Sequence, residues 1–287
     1  MAPTYSAHLF RDPRHATAMI RRLQDQHDLD SSRAANPNFA GTLAKGLMIL
    51  EAFVRESRPL GNSELAQALG LTRPTVSRLC RTLLELGYLD HDDRIDRYFI
   101  GPAAVALGYP YIVNTPLRML ARPGLQALAE RFQGAASIGV AFGLDMVYLE
   151  TCACPTSTLA RPDVGATLSV ATTAMGRAWL AAQPAAEQRA LLAALVRERP
   201  TEWKRCRKGI EESLVHYAKR GFALNLGDAG LGVFGAGVHS RMRYGQRTLV
   251  FNCAVPGLQW TAARLSKEVG PALVELARRI EQQAGMH

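Results

Sequence analysis

Asn62 to Ile100 read N-S-E-L-A-Q-A-L-G-L-T-R-P-T-V-S-R-L-C-R-T-L-L-E-L-G-Y-L, then D-H-D-D-R-I-D-R-Y-F-I, and this stretch decides the fold. Asn62 or Ser63 is placed to cap a short helix, and Gly70 to close it in a left-handed turn. Thr72 caps a second helix. Pro74 falls in its first turn, where a missing N–H does no harm. Val76, Leu79, Cys80, Leu83 and Leu84 make one apolar stripe along that helix, and Gly87 stops it. Tyr88-Leu89 and Arg97-Tyr98-Phe99-Ile100 then flank a charged tip, as in a hairpin. Off the stripe lie Arg73, Thr75, Ser77, Arg78, Arg81 and Thr82, beside the capping Thr72. Arginine can bridge O6 and N7 of guanine, and hydroxyls reach phosphates or base edges. Helix, turn, helix and hairpin in this order predict a DNA reader whose second helix enters the major groove. Arg94 and Arg97 on the hairpin are candidate backbone or minor-groove contacts, while Asp90, Asp92, Asp93 and Asp96 argue against deep insertion. The alternative is a helical hairpin whose charged face serves protein contacts.

Upstream, Leu43, Leu47, Leu50 and Val54 repeat at helical spacing and predict a helix over 43–55 with that stripe inward. Residues 1–38 are polar and broken by Pro3, Pro13 and Pro37, which predicts a mobile arm; His15 to Leu29 could add a helix there. Downstream, Gly101-Pro102 opens a helix to Val113, and a further helix runs from Asn114-Thr115-Pro116 to Phe132, bent at Pro123. The expected division is an arm at 1–38, a DNA-binding domain at 39–101, a linker helix at 102–116 and a second domain at 117–287. In that second domain 136–141, 146–150, 221–224, 232–239 and 248–254 read as strands. Residues 173–180, 187–198, 210–220 and 262–283 read as helices. Strands interleaved with helices define an α+β class.

Composition sets the outer bounds. With 287 residues there is room for two ordinary domains, and 48% apolar content supports sizeable cores. No apolar run approaches membrane-spanning length, and the opening residues show no secretion signal, so a cytoplasmic protein is expected. Five cysteines, an odd number, predict free thiols. The net charge of +9 favours a polyanionic partner, but residues 40–101 hold eight Lys/Arg against eight Asp/Glu. Most of the excess lies after residue 117, including Lys204-Arg205-Cys206-Arg207-Lys208, read as a solvated surface. Local arrangement therefore carries the DNA reading, not global charge.

Enzyme chemistry finds little footing. Cys152-Ala153-Cys154 has the wrong spacing for zinc and the seven histidines are scattered, so no metal and no cofactor are expected. Gly230-Leu231-Gly232-Val233-Phe234-Gly235 lacks a lysine and the strand–helix setting of a phosphate cradle. Glu150 and Asp228 could form an acid pair, but spacing does not fix their distance, and no nucleophile–base set is visible.

The chain resembles the IclR family of bacterial regulators over about 42–285. The resemblance rests on Thr42-Leu43-Ala44-Lys45-Gly46-Leu47, Leu65-Ala66, Gly70-Leu71, Arg78-Leu79, Leu86-Gly87-Tyr88, Gly101-Pro102 and Leu107-Gly108. In the second half it rests on Gly165-Ala166 and Ala174-Met175-Gly176-Arg177-Ala178. It implies a winged helix-turn-helix joined by a linker helix to a GAF-like effector domain. It also implies homodimers or homotetramers on palindromic operators near catabolic genes. The effector pocket it implies is lined by Gly165, Ala166, Asn225, Val233, Gly235, Asn252 and Ala254. Relatives often carry acids or Cys/Ser where this chain has Asn225, Gly235 and Ala254, which implies a less polar, roomier pocket suited to a larger, aromatic acid. Arg161, just before that loop, could pair with a ligand carboxylate through its planar fork; a plain surface arginine is the alternative. Two other functions stay open: an enzyme whose DNA-binding head is a tether, and a constitutive DNA binder whose second domain only oligomerises.

Overall fold

The computed structural model describes residues 38–157, 159, 161–229, 232–244 and 247–285. The expected arm therefore lies, save Asn38, outside the described residues, as does its candidate helix. The chain divides into two compact units, one ending at Val113 and one beginning at Asn114.

The first unit holds α1 (Gly41–Glu56), α2 (Asn62–Leu69), α3 (Arg73–Glu85), the hairpin β1 (Leu89–Asp92) and β2 (Arg97–Ile100), and α4 (Pro102–Val113). Ile49 and Phe53 of α1, Leu65 and Leu69 of α2, and Val76 and Cys80 of α3 meet in one core that Leu60 and Leu89 close. Each such leucine or isoleucine contributes about 1.5–3 kcal/mol by leaving water. The hairpin pairs Leu89 with Ile100 and Asp92 with Arg97. Leu60 extends it, its N–H donating to Tyr98 O (3.1 Å) and its carbonyl accepting from Tyr98 N–H (2.9 Å).

Two expectations fail here. The stripe of α1 faces the other way: Leu43, Leu47 and Val54 are exposed, Leu50 is partly buried, and Ile49, Ala52 and Phe53 enter the core. Both sets fit helical spacing, and packing against α2 and α3 selects the one that carries the aromatic ring. The cap of α2 is Gly61, with no side-chain cap bond from Asn62 or Ser63; instead Glu64 reaches back and its carboxylate accepts from Gly61 N–H (2.9 Å). That is half of a capping box.

The second unit is an antiparallel six-stranded sheet in the order β5-β4-β3-β8-β7-β6. Its strands are β3 (Ala135–Phe142), β4 (Asp145–Ala153), β5 (Thr167–Ser169), β6 (Ala223–Leu226), β7 (Val233–Tyr244) and β8 (Arg247–Pro256). On one face lie α5 (Pro116–Arg131) and α9 (Gly270–Gln283). On the other lies α6 (Ala174–Ala181), backed by α7 (Ala185–Glu198) and α8 (Pro200–Arg220). A helical turn Ala262–Arg264 and a π-helical turn Leu265–Val269 lead directly into α9. The α6 side of the sheet is built flat by necessity: a Cβ on Gly237 would lie 2.1 Å from Ala174 O, so the helix backbone rests on the strand.

Strand β5, three residues long, escapes a reading by periodicity. Helix α8 starts at Pro200, ten residues before the expected start at Ile210. Proline at its first position and Glu202 in its first turn are ordinary start signals. The misleading residue is Gly209, which sits mid-helix because a Cβ there would come within 2.6 Å of Asp228 Oδ2 and 3.1 Å of the Arg177 guanidinium. The basic run 204–208 thus lies on α8, where Cys206 is buried and Lys204, Arg205, Arg207 and Lys208 are exposed.

Candidate DNA-reading and effector sites

Helix α3 divides cleanly. Val76, Leu79, Cys80 and Leu83 are buried, and burial pushes the Cys80 thiol up to about 12, so it is an inert neutral thiol. Thr72, Arg73, Ser77, Arg78, Arg81 and Thr82 are exposed, and Thr75 is half-buried. The start of the helix is held by Thr72, whose Oγ1 accepts from Thr75 N–H (3.4 Å) and lies 2.9 Å from Thr75 Oγ1. Both hydroxyls are therefore tied to the cap. Thr82 Oγ1 donates to Arg78 O (3.2 Å), and Arg81 pairs loosely with Glu85 (3.4 Å). Among the described residues Arg73 and Arg78 have no ion-pair partner, so their donors are open to an incoming polyanion.

The hairpin differs. Arg94 folds onto Asp92, with Nη2 2.9 Å and Nε 3.1 Å from its carboxylate oxygens, and the bond holds the Asp92 carboxyl below its usual range. Arg97 is 3.5 Å from Glu64 and donates to Asp96 O (3.2 Å). His91 bridges Asp93 (2.8 Å) and Asp96 (3.2 Å). The wing is electrostatically self-paired, whereas the front of α3 is not.

In the second unit Gly235, Asn252 and Ala254 fall on the α6 side of the sheet. Gly235 is paired with Ala254 and with Asn225, and Asn252 with Ser137 and Gly237. A Cβ on Gly235 would lie 3.6 Å from Asn252 Oδ1 and 3.5 Å from Ala174 Cβ. Val233 starts β7 on the same side by alternation. Asn225 is buried and held by the backbone: Nδ2 donates to Thr172 O, and Oδ1 accepts from Gly227 N–H (2.9 Å) and Asp228 N–H (3.1 Å). It shapes the turn after β6 and keeps at most one N–H of its amide for a ligand. Gly165 N–H donates to Tyr148 O of β4 (2.8 Å) and Ala166 N–H closes a turn onto Asp163 O within the loop (3.0 Å), so both amides are engaged. Arg161 is exposed; Cys152, whose Sγ donates to Arg122 O of α5 (3.7 Å), has its thiol pushed up chiefly by burial. Gly230 and Leu231 lie outside the described residues.

Sequence reasoning named Arg177, Glu150 and Asp228 without seeing that they fix this frame. Arg177 is 2% exposed; its Nε donates to Ala171 O (3.1 Å), Nη1 to Leu224 O (3.1 Å) and Nη2 to Asp228. On the other face buried Glu150 pairs with Arg118 (2.6 Å) and Arg122 (2.8 Å) of α5. Glu150 and Asp228 thus answer separate arginines and form no acid pair. The five cysteines are free and buried. Among the described residues no group of three or more His, Cys, Asp or Glu is placed to hold a metal, and no helix is long and apolar enough to cross a membrane.

Comparison with known proteins gives these shapes a family. Residues 42–93 match the IclR helix-turn-helix domain, and residues 109–282 match the bacterial transcriptional regulator IclR C-terminal domain. The chain is 29% identical to the HTH-type transcriptional regulator TsaQ1/TsaQ2 of Comamonas testosteroni, over 88% of this chain and 92% of that protein. The crystal structure of an IclR family transcriptional regulator from Brucella abortus superposes with a TM-score of 0.79 at 33% identity, covering 88% of this chain and 95% of that one. An IclR homolog from Microbacterium hydrocarbonoxydans, solved with 4-hydroxybenzoate, shares the fold at a TM-score of 0.64 and 17% identity, covering 84% of this chain and 98% of that one. This chain belongs to the IclR family. It is a DNA-binding transcriptional regulator with a winged helix-turn-helix unit and an α+β effector-binding unit.

Proposed function

We propose that this regulator reads a palindromic operator near catabolic genes as a homodimer or homotetramer in the cytoplasm, and that a small aromatic acid tunes its grip. The observation that carries the DNA half is the open front of α3. Arg73, Ser77, Arg78, Arg81 and Thr82 project from a helix whose back builds the core, with Thr72 and Thr75 at its cap. Arg94 and Arg97, already paired within their own unit, add backbone contacts at most. A second copy is called for by the exposed apolar side chains of this unit. Leu43, Leu47 and Val54 on α1, and Val105, Leu107, Tyr109 and Val113 on α4, are each at least half exposed. Such surface normally meets a partner.

The effector half rests on the α6 side of the sheet, where Gly235, Asn252, Ala254 and Val233 meet small, uncharged neighbours, with the Gly165-Ala166 loop bonded to the same sheet at Tyr148. Burying a bare carboxylate there would cost several kcal/mol, so the ring enters and the acid stays at the rim. The 4-hydroxybenzoate in the Microbacterium hydrocarbonoxydans protein supports a ligand of this size. Ligand that prefers one spacing of the paired heads shifts operator affinity by its differential affinity for the two states.

A screen of benzoate and hydroxybenzoates tests this by thermal shift and by operator gel shift. A binding acid at about 100 times its Kd stabilises the native state by about 2.7 kcal/mol, and operator affinity changes with it. The acid is recovered unconverted, which separates a sensor from an enzyme. If the whole panel leaves both melting and operator affinity unmoved, the aromatic-acid assignment fails and an oligomerisation role gains.

A further inference from the structure

The outer face of α9 carries a feature that the effector reading leaves unused. Val274, Glu275, Arg278 and Arg279 recur at helical spacing and so share one face of that helix. With Arg220, which ends α8, and Phe222 just beyond it, they line a cleft of about 610 Å³. Pockets for small molecules run roughly 300–1,000 Å³. Helix α9 lies across the sheet from α6, so this cleft is separate from the candidate effector site.

The walls are fixed before any ligand arrives. A Cβ on Gly270, the first residue of α9, would collide with the Phe222 ring, so the helix backbone rests on that ring. His216 of α8 ties the two walls together. Its Nδ1 lies 3.0 Å from Phe222 O, and its Nε2 lies 3.0 Å from Ser266 Oγ in the π-helical turn that leads into α9. The His216 and Phe222 rings also meet edge to face, with centroids 4.7 Å apart.

The charges in the cleft are unspent. Glu275 and Arg279 are four residues apart, a spacing that makes ion pairs elsewhere in this unit, at Arg207 and Glu211 (2.8 Å) and at Arg264 and Glu268 (3.1 Å). Yet among the described residues the side chains of Arg220, Glu275, Arg278 and Arg279 have no ion-pair or hydrogen-bond partner. Three guanidinium groups and one carboxylate leave the cleft with an excess of two positive charges. A phosphate monoester carries about −1.5 to −2 at neutral pH, and the guanidinium fork matches phosphate oxygens two at a time.

We propose that this cleft is a second ligand site, which takes a small phosphate monoester. The phosphoryl group pairs with Arg220, Arg278 and Arg279, and the carbon skeleton lies against Val274 and Phe222. A free phosphate would fill little of the volume. A duplex suits the place less well, because its phosphates call for side chains on a projecting surface, and here a carboxylate stands among the arginines in a recess. The site does not depend on the aromatic-acid reading.

Calorimetric titration of the full-length protein at about pH 8 and constant ionic strength, where the phosphoryl group is a dianion, tests this with glycerol 3-phosphate and inorganic phosphate. The ester binds wild type at least several-fold more tightly than inorganic phosphate. Arg278→Gln with Arg279→Gln weakens the ester by roughly tenfold or more. It leaves melting unchanged, since both side chains are exposed. Lys204→Gln with Arg205→Gln, also exposed and on the far stretch of α8, removes the same charge and leaves ester binding within about twofold. Equal losses in the two double variants would mean diffuse attraction and overturn the site. Equal affinity for the ester and inorganic phosphate overturns the ester assignment. No binding of either, with non-operator duplex affinity falling in the Arg278 and Arg279 variant, overturns the proposal and gives the surface to DNA.

Discussion

Replacing Arg78 by alanine should abolish most specific operator binding while leaving the melting temperature within about a degree. The side chain is exposed and has no ion-pair partner among the described residues, so the fold loses nothing that packs. At the DNA a bidentate arginine–guanine contact is worth about 1–3 kcal/mol. In the proposed homodimer the contact is lost twice, for a drop of about 30-fold at the least. Arg94→Ala is the internal control. Its guanidinium is spent on Asp92, 2.9 Å away, and its removal should cost less than about threefold. Anisotropy titration of a labelled operator separates the two. Equal losses at Arg78 and Arg94 would mean the wing, not α3, faces the duplex.

Arg177→Met should be the most damaging single change in the second unit. The guanidinium is 2% exposed and answers two backbone carbonyls, of Ala171 and Leu224, plus Asp228. Methionine fills much of the volume but strands all three acceptors. Breaking a buried pair from one side costs about 3–5 kcal/mol, or roughly 6–20 °C of melting temperature for a unit of this size. Arg177→Lys should rescue little, since an ammonium cannot span three acceptors with the geometry of the fork. Arg177→Met combined with Asp228→Leu should recover part of the loss, because no half-buried carboxylate is then left alone. Calorimetry should show the transition of the second unit fall while that of the first stays in place. An unchanged second transition would mean the Arg177 contacts are not formed in solution.

What could be read in advance depended on how local the governing physics was. Helix α3 declared itself through Thr72, Pro74 and a single unambiguous stripe. Helix α1 did not: Leu43, Leu47 and Val54 and the set Ile49, Ala52 and Phe53 obey the same period, and only contacts with α2 and α3 choose between them. Gly209 looked like a boundary because its reason for being glycine is Asp228, far along the chain. In the candidate effector site Gly235, Asn252 and Ala254 could be named from resemblance. That the Asn225 carboxamide and the Gly165 and Ala166 amides are already engaged by the backbone is a matter of three-dimensional hydrogen bonding that no spacing encodes.

Methylation interference on the bound operator tests the central claim most directly. If the exposed front of α3 sits in the major groove, methylating guanine N7 in each of two symmetric half-sites blocks binding, and Arg78→Ala makes one of those guanines indifferent to methylation. Interference confined to adenine N3 in the minor groove, with the same pattern in wild type and Arg78→Ala, would contradict it.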